Sequence, residues 1–181
     1  MRGVNSSRLS ASLLQLHGTP MQRLWAPWRL NYIKTYRKNM SECVFCDALE
    51  QEDSAENLII FRGEHSFVIL NRFPYTSGHL MVLPNVHTDR LEKVDAETRA
   101  EMMELINQGT QVLSQIYAPE GFNLGANLGA AAGAGIEQHV HMHIVPRWVG
   151  DTNFMSVVGE TRVLPESVEK SWLGINQAWP R

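Results

Sequence analysis

The chain is poor in several things that would settle its class early. Its 181 residues hold two cysteines, too few for a disulfide framework. Charge of one sign is also missing. Sixteen Lys and Arg face nineteen Asp and Glu, for a net charge of −3. That excludes nucleic-acid binding through a broad basic face but leaves room for a small anion at a local site. No apolar run approaches the roughly 18 residues of a bilayer-spanning helix, so a membrane is not an expected partner. What remains is ordinary: 44% hydrophobic and 19% charged residues, the balance of one soluble globular domain large enough for a real core.

Residues 1–20 contain two arginines, four serines and no acid. The composition faintly resembles an organelle transit peptide. The expectation is a disordered or mis-assigned extension, with Met21 as the true start and the domain at 21–181. Within 21–40, Trp25-Ala26-Pro27-Trp28 reads as an irregular segment that packs as a slab.

Period and punctuation give the rest. A short polar helix follows Cys46 through Glu52. Asn57 to Arg62 and His65 to Asn71 read as strands joined by the Gly63-Glu64 turn. His79 to Pro84 is a third strand and Gly121 to Leu128 a fourth. Over 95–117, Met102, Leu105, Ile106, Val112, Leu113 and Ile116 recur at helical spacing, with Asp95 as N-cap. Residues 164–178 read as a C-terminal helix beginning near Pro165, since proline suits a first turn. Short strands with hairpin-like links and one long helix predict an α+β domain built on an antiparallel sheet.

The densest chemical signal is His139-Val140-His141-Met142-His143-Ile144. Alternation is the strand period, so three imidazoles are expected on one face of one strand, roughly 7 Å apart. Each is costly to bury unless its ring nitrogens find partners. Metal binding, a satisfied structural row and nucleophilic catalysis all remain open on this pattern alone. The loop Gly129-Ala130-Ala131-Ala132-Gly133-Ala134-Gly135 leads into the row, and glycines let backbone N–H groups approach an anion. Phosphate beside a nucleophilic imidazole points to phosphoryl or nucleotidyl transfer. The pair Cys43 and Cys46 in Cys-Val-Phe-Cys reads as a metal half-site or a redox pair in a reducing compartment.

His139 to Val145, together with Phe67-Val68-Ile69-Leu70-Asn71-Arg72-Phe73-Pro74 and Gly78-His79-Leu80-Met81-Val82-Leu83-Pro84, resembles the histidine triad (HIT) family over most of residues 43–148. Pro146-Arg147-Trp148, Gly150 to Met155 and Trp25 to Arg29 resemble its bacterial branch of diadenosine tetraphosphate phosphorylases. The resemblance implies a HIT-like fold of about five antiparallel strands, one long helix and a C-terminal helix. It implies that His141 attacks an α-phosphorus, that His143 contacts the phosphate oxygens, and that His139, Gln138 or the loop at Gly133 and Gly135 assists the leaving group. Asn71 would meet the nucleoside, His79 would support the nucleophile's strand, Asn127 would lie on the phosphate side, and Trp148 would stack on adenine or fill an interface. Many relatives carry Gln, Ser or Thr where this chain has Gly135 and Ile136, so backbone N–H groups would have to substitute here.

The same resemblance implies a structural zinc on Cys43, Cys46, His87 and His139. A Cys₂His₂ set suits a closed tetrahedral site. No organic cofactor is expected. The implied reaction is nucleotidyl transfer from diadenosine tetraphosphate to phosphate, in a cytoplasmic homodimer or a larger assembly of dimers. The alternatives are hydrolysis of a dinucleoside polyphosphate or a nucleoside phosphoramidate with water as acceptor, a zinc-dependent hydrolase, and a non-catalytic nucleotide-binding module.

Overall fold

The computed structural model describes residues 43–151 and 164–181. The expectations for residues 1–20, for the tryptophan segment at 21–40 and for most of Gly150 to Met155 lie outside the described residues. Within them the order is α1 (Val44–Leu49), β1 (Ile59–Arg62), β2 (Ser66–Leu70), β3 (Leu80–Pro84), α2 (Ala96–Tyr117), β4 (Gly121–Ala126), β5 (Met142–Arg147) and α3 (Val168–Ala178), with short 3₁₀ turns at Leu91–Lys93 and Ala130–Ala132.

The five strands form one sheet in the order β1-β2-β3-β5-β4, antiparallel at every pairing. β2 and β3 are buried at every position, which explains their continuous apolar runs. This is the α+β architecture that the periodicity predicts, with one long helix and a second at the C-terminus.

α2 begins where the sequence places it. The Asp95 carboxylate accepts from the Thr98 amide at 2.9 Å and its hydroxyl at 2.8 Å, an N-cap that satisfies an otherwise orphaned donor. Met102, Leu105, Ile106, Val112 and Leu113 are buried in the core. Gly109 lets α2 approach β5, since a Cβ there would lie 2.8 Å from Ile144 Cδ1. Glu101, on the same helix, accepts from the amides of Glu64 and His65 and the hydroxyl of Ser66 at 2.7–2.8 Å, so it holds the β1–β2 turn. α3 covers edge strand β1: Trp172 Nε1 donates to Ile59 O at 2.8 Å, and Trp179 stacks on Phe61 with centroids 5.9 Å apart.

α1 begins at Val44, ahead of the Cys46 after which it is expected, and ends at Leu49 rather than Glu52; two further differences concern α3 and the histidine row. α3 starts at Val168, capped by Ser167, whose hydroxyl accepts from the Lys170 amide at 3.3 Å. Pro165 therefore precedes the helix and is not in its first turn; the capping hydroxyl, not the proline, decides the start. The second difference concerns the histidine row. β5 begins at Met142, so His143 is on the strand while His139 and His141 lie before it. The ladder runs out of partners there, because pairing with both β3 and β4 ends at Met142. Upstream, the Val140 amide donates instead to Thr88 O at 2.7 Å.

Candidate active site and metal centre

The histidines divide between two places. His141 and His143 line a cavity of about 350 Å³. His139 does not; its ring belongs to a cluster with Cys43, Cys46 and His87. What each ring can do follows from which nitrogen is already engaged, and the tautomers below are assigned from those partners.

His141 Nδ1 lies 2.8 Å from the backbone oxygen of His139. A carbonyl only accepts, so Nδ1 carries the proton and Nε2 keeps its lone pair. Burial pushes the ring below its ordinary pKa, with the carbonyl contact opposing, which favours the neutral, nucleophilic form. Phe45 packs on this ring at 5.4 Å between centroids.

His143 is set by a chain that starts in the loop before β3. His79 Nδ1 faces two donors, the Tyr75 amide at 3.1 Å and the Asn71 side-chain amide at 3.4 Å. It must therefore accept, and His79 Nε2 carries the proton, donating to His143 Nδ1 at 2.9 Å. By elimination His143 bears its proton on Nε2. Its ring meets that of His141 edge-on at 4.9 Å. A lone pair on one ring and an N–H on its neighbour are suited to a nucleophile and an oxyanion donor.

His139 uses its nitrogens the other way. Nε2 donates to Pro84 O at 2.9 Å, leaving the Nδ1 lone pair toward sulfur. Cys43 Sγ lies 3.5 Å and Cys46 Sγ 3.7 Å from that nitrogen, and Cys46 Sγ lies 3.3 Å from His87 Nδ1. All four ligand atoms fall within 4.8 Å of one another. A tetrahedral ion with M–S near 2.3 Å and M–N near 2.0–2.1 Å sets S and N atoms roughly 3.5 Å apart. The donor set and its spacing thus fit a metal ion. Burial and the adjacent Cys43 push the Cys46 thiol up to about 11, so thiolates at this spacing call for a cation beside them.

Among the other expected site residues, Asn71, Asn127 and Gly135 line the cavity. Asn71 is also a turn residue, its Oδ1 accepting from the Phe73 amide at 2.9 Å. His79, fully buried, stands behind His143 and not in the cavity wall. Gly133, Gln138 and Trp148 do not line it either. Gly133 serves the turn with φ of +86°, and the Trp148 amide is held by Asp151.

Sequence reasoning missed much of the opposite wall. Val44, Phe45, Asp47, Ala48 and Gln51 come from α1 and its exit, Leu58 and Tyr75 from loops. The one available signal was the apolar Val44-Phe45 between the two cysteines, just ahead of the segment read as a polar helix.

Residues 52–149 match the family described as HIT domain. The chain is 34% identical over 167 residues to a protein of Mycobacterium tuberculosis named AP-4-A phosphorylase, covering 89% of this chain and 86% of that one. It is 31% identical over 107 residues to adenylylsulfatase HINT3 of Arabidopsis thaliana, covering 59% and 53%. Among solved structures, a Zn-bound histidine triad family protein from Mycobacterium smegmatis superposes with a TM-score of 0.61 at 28% identity, over 76% of this chain and 93% of that one.

Proposed function

This chain belongs to the HIT domain family, and on that premise we propose that it transfers a nucleotidyl group from a dinucleoside polyphosphate, diadenosine tetraphosphate by preference, to inorganic phosphate. The observation that carries the reading is His141: Nδ1 held by a carbonyl, Nε2 left with its lone pair, in the wall of a cavity large enough for a nucleotide.

In the first step His141 Nε2 attacks the α-phosphorus, a P–N bond forms, and the P–O bond to the departing nucleoside triphosphate breaks. The imidazole now carries positive charge, which the His139 carbonyl stabilises through Nδ1–H. The His143 Nε2–H donates to the α-phosphate oxygens, where negative charge concentrates in the transition state. In the second step a phosphate oxygen attacks the same phosphorus and the P–N bond breaks. A nucleoside diphosphate leaves and His141 returns to its starting tautomer. Asn71 and Asn127 take the nucleoside and phosphate sides of the cavity.

Cys43, Cys46, His87 and His139 would hold a structural zinc. When bound it supplies a cross-link between α1 and the segment before β5, with no open position for chemistry. Thiolate ligands fit a reducing, cytoplasmic setting. A homodimer fits edge strand β4 and the exposure of Leu124 on it, with Leu128 just beyond.

Product analysis tests the reaction. Diadenosine tetraphosphate is incubated with the protein with and without phosphate, beside His141→Ala. ATP plus ADP only with phosphate, and neither in the variant, is the expected result. ATP plus AMP irrespective of phosphate would make the enzyme a hydrolase.

A further inference from the structure

The cavity wall opposite the histidines has little stability of its own. α1 is six residues long, far below the length at which a helix holds by its own hydrogen bonds, and its N-cap Cys43 makes no side-chain capping bond. Its carbonyl end is gripped from outside. Arg62, the last residue of β1, donates Nη1 to Leu49 O at 2.7 Å and Nη2 to Gln51 O at 2.6 Å and Ala48 O at 3.4 Å, while Nε reaches Asp53 Oδ1 at 2.7 Å. Asn57 Nδ2 adds bonds to Glu52 O at 2.8 Å and Ala48 O at 3.4 Å. A fixed cation on the last carbonyls of a helix also complements its dipole.

The same clamp runs past a strained residue. Leu58 is buried, lines the cavity and has φ of +66°, a conformation that a leucine rarely adopts. It persists because Leu58 N donates to Ser54 O and Leu58 O accepts from Leu70 N, both at 2.9 Å, with Asn57 Oδ1 accepting from the Ser54 and Ile59 amides. Such strain is kept where the surroundings over-determine it.

Arg62 does not line the cavity, whereas the segment it grips does. We propose that Arg62 is a positioning residue that sets the α1 wall, and through it the affinity for the nucleoside end of the substrate, without touching the substrate. The inference rests on the nucleotide reading above. A lysine cannot replace the guanidinium fully, because its single ammonium lacks the forked donors that reach four acceptors at once.

The test compares Arg62→Gln and Arg62→Lys with Asp53→Asn, which removes only the outer ion pair. Steady-state kinetics with diadenosine tetraphosphate are paired with calorimetric titration of AMP. For Arg62→Gln, KM and the AMP dissociation constant rise about tenfold while kcat stays within about threefold. Arg62→Lys moves the same way by a smaller factor, and Asp53→Asn leaves both constants within about twofold. Lys keeps the charge and one bond, so it provides the reading if Gln does not fold. Unchanged KM and AMP affinity in the folded Arg62 variants, with only a lower melting temperature, overturns the proposal, as does a loss confined to kcat. Wild-type protein that binds no AMP and turns over no dinucleotide removes the nucleotide reading itself, a result separable from any behaviour of the variants.

Discussion

His139 and His141 are two residues apart, yet one ring faces sulfur and the other faces a cavity. Both are buried, both have their pKa pushed down by burial, and each gives one N–H to a backbone carbonyl. They differ in which nitrogen is so used. His139 spends Nε2 on Pro84 and keeps Nδ1 as a lone pair for the cysteine cluster. His141 spends Nδ1 on the His139 carbonyl and keeps Nε2 for the cavity. His143, fed by His79, shows the cavity a proton instead. Residue type is constant along the row; the partner of the second nitrogen sets the role.

The sharpest way to break the contrast is to delete the free lone pair. His141→Ala is expected to lower turnover by at least ~10⁴-fold while AMP affinity, read by calorimetry, stays within about threefold. Loss of both in equal measure would reduce His141 to a binding residue.

Attack on the other side of the contrast should act on stability first. Cys43→Ser, or prolonged chelation, is expected to remove stoichiometric metal by elemental analysis and lower the melting temperature by more than about 5 °C. Full metal content in Cys43→Ser would show that the cluster is not a binding site.

His79→Phe keeps an aromatic ring in the buried position but removes the donor that fixes the His143 tautomer and the acceptor of the Tyr75 amide. We expect kcat to fall roughly 10²-fold and the melting temperature to drop by about 5 °C, since buried polar groups lose their partner. An unchanged kcat would mean that His143 needs no such support.

The smallest effect belongs far from both centres. Burial alone would raise the Glu101 carboxyl, but the Ser66 hydroxyl and the His65 and Glu64 amides hold it below the usual carboxylate range. A depressed folded-state pKa stabilises above the unfolded value, and that stability is lost as pH falls through the folded value. Glu101→Gln should therefore cost about 1 kcal/mol near neutral pH, solvent screening the rest, and flatten the acid limb of the unfolding curve. AMP affinity should not move.

The fold was legible because its signals are local. The α2 period with its Asp95 cap, the glycine turn at 63–64 and the apolar runs of β2 and β3 each declare an element without help. Boundaries were less legible where tertiary partners decide them: β5 starts only where β3 and β4 can pair with it, and α3 starts at the Ser167 cap beyond Pro165. In the site, Asn71, Asn127, His141 and His143 could be named from motif positions. Gln138 and Trp148 could not be separated from them by sequence, because lining a cavity is a property of what packs opposite. Phe45 and the α1 wall went unrecognised for the same reason.

By itself, then, the sequence determined the class of domain, the family and the set of imidazoles and thiols available for chemistry, because alternation, spacing and turn residues are written along the chain. Only the tertiary structure decided which ring faces the thiols, which keeps a lone pair and which offers a proton. Those properties depend on the Pro84 carbonyl, the His139 carbonyl and the His79 ring, 55, 2 and 64 residues away from the nitrogens they hold. Two of the three are brought close only when β3 lies against β5.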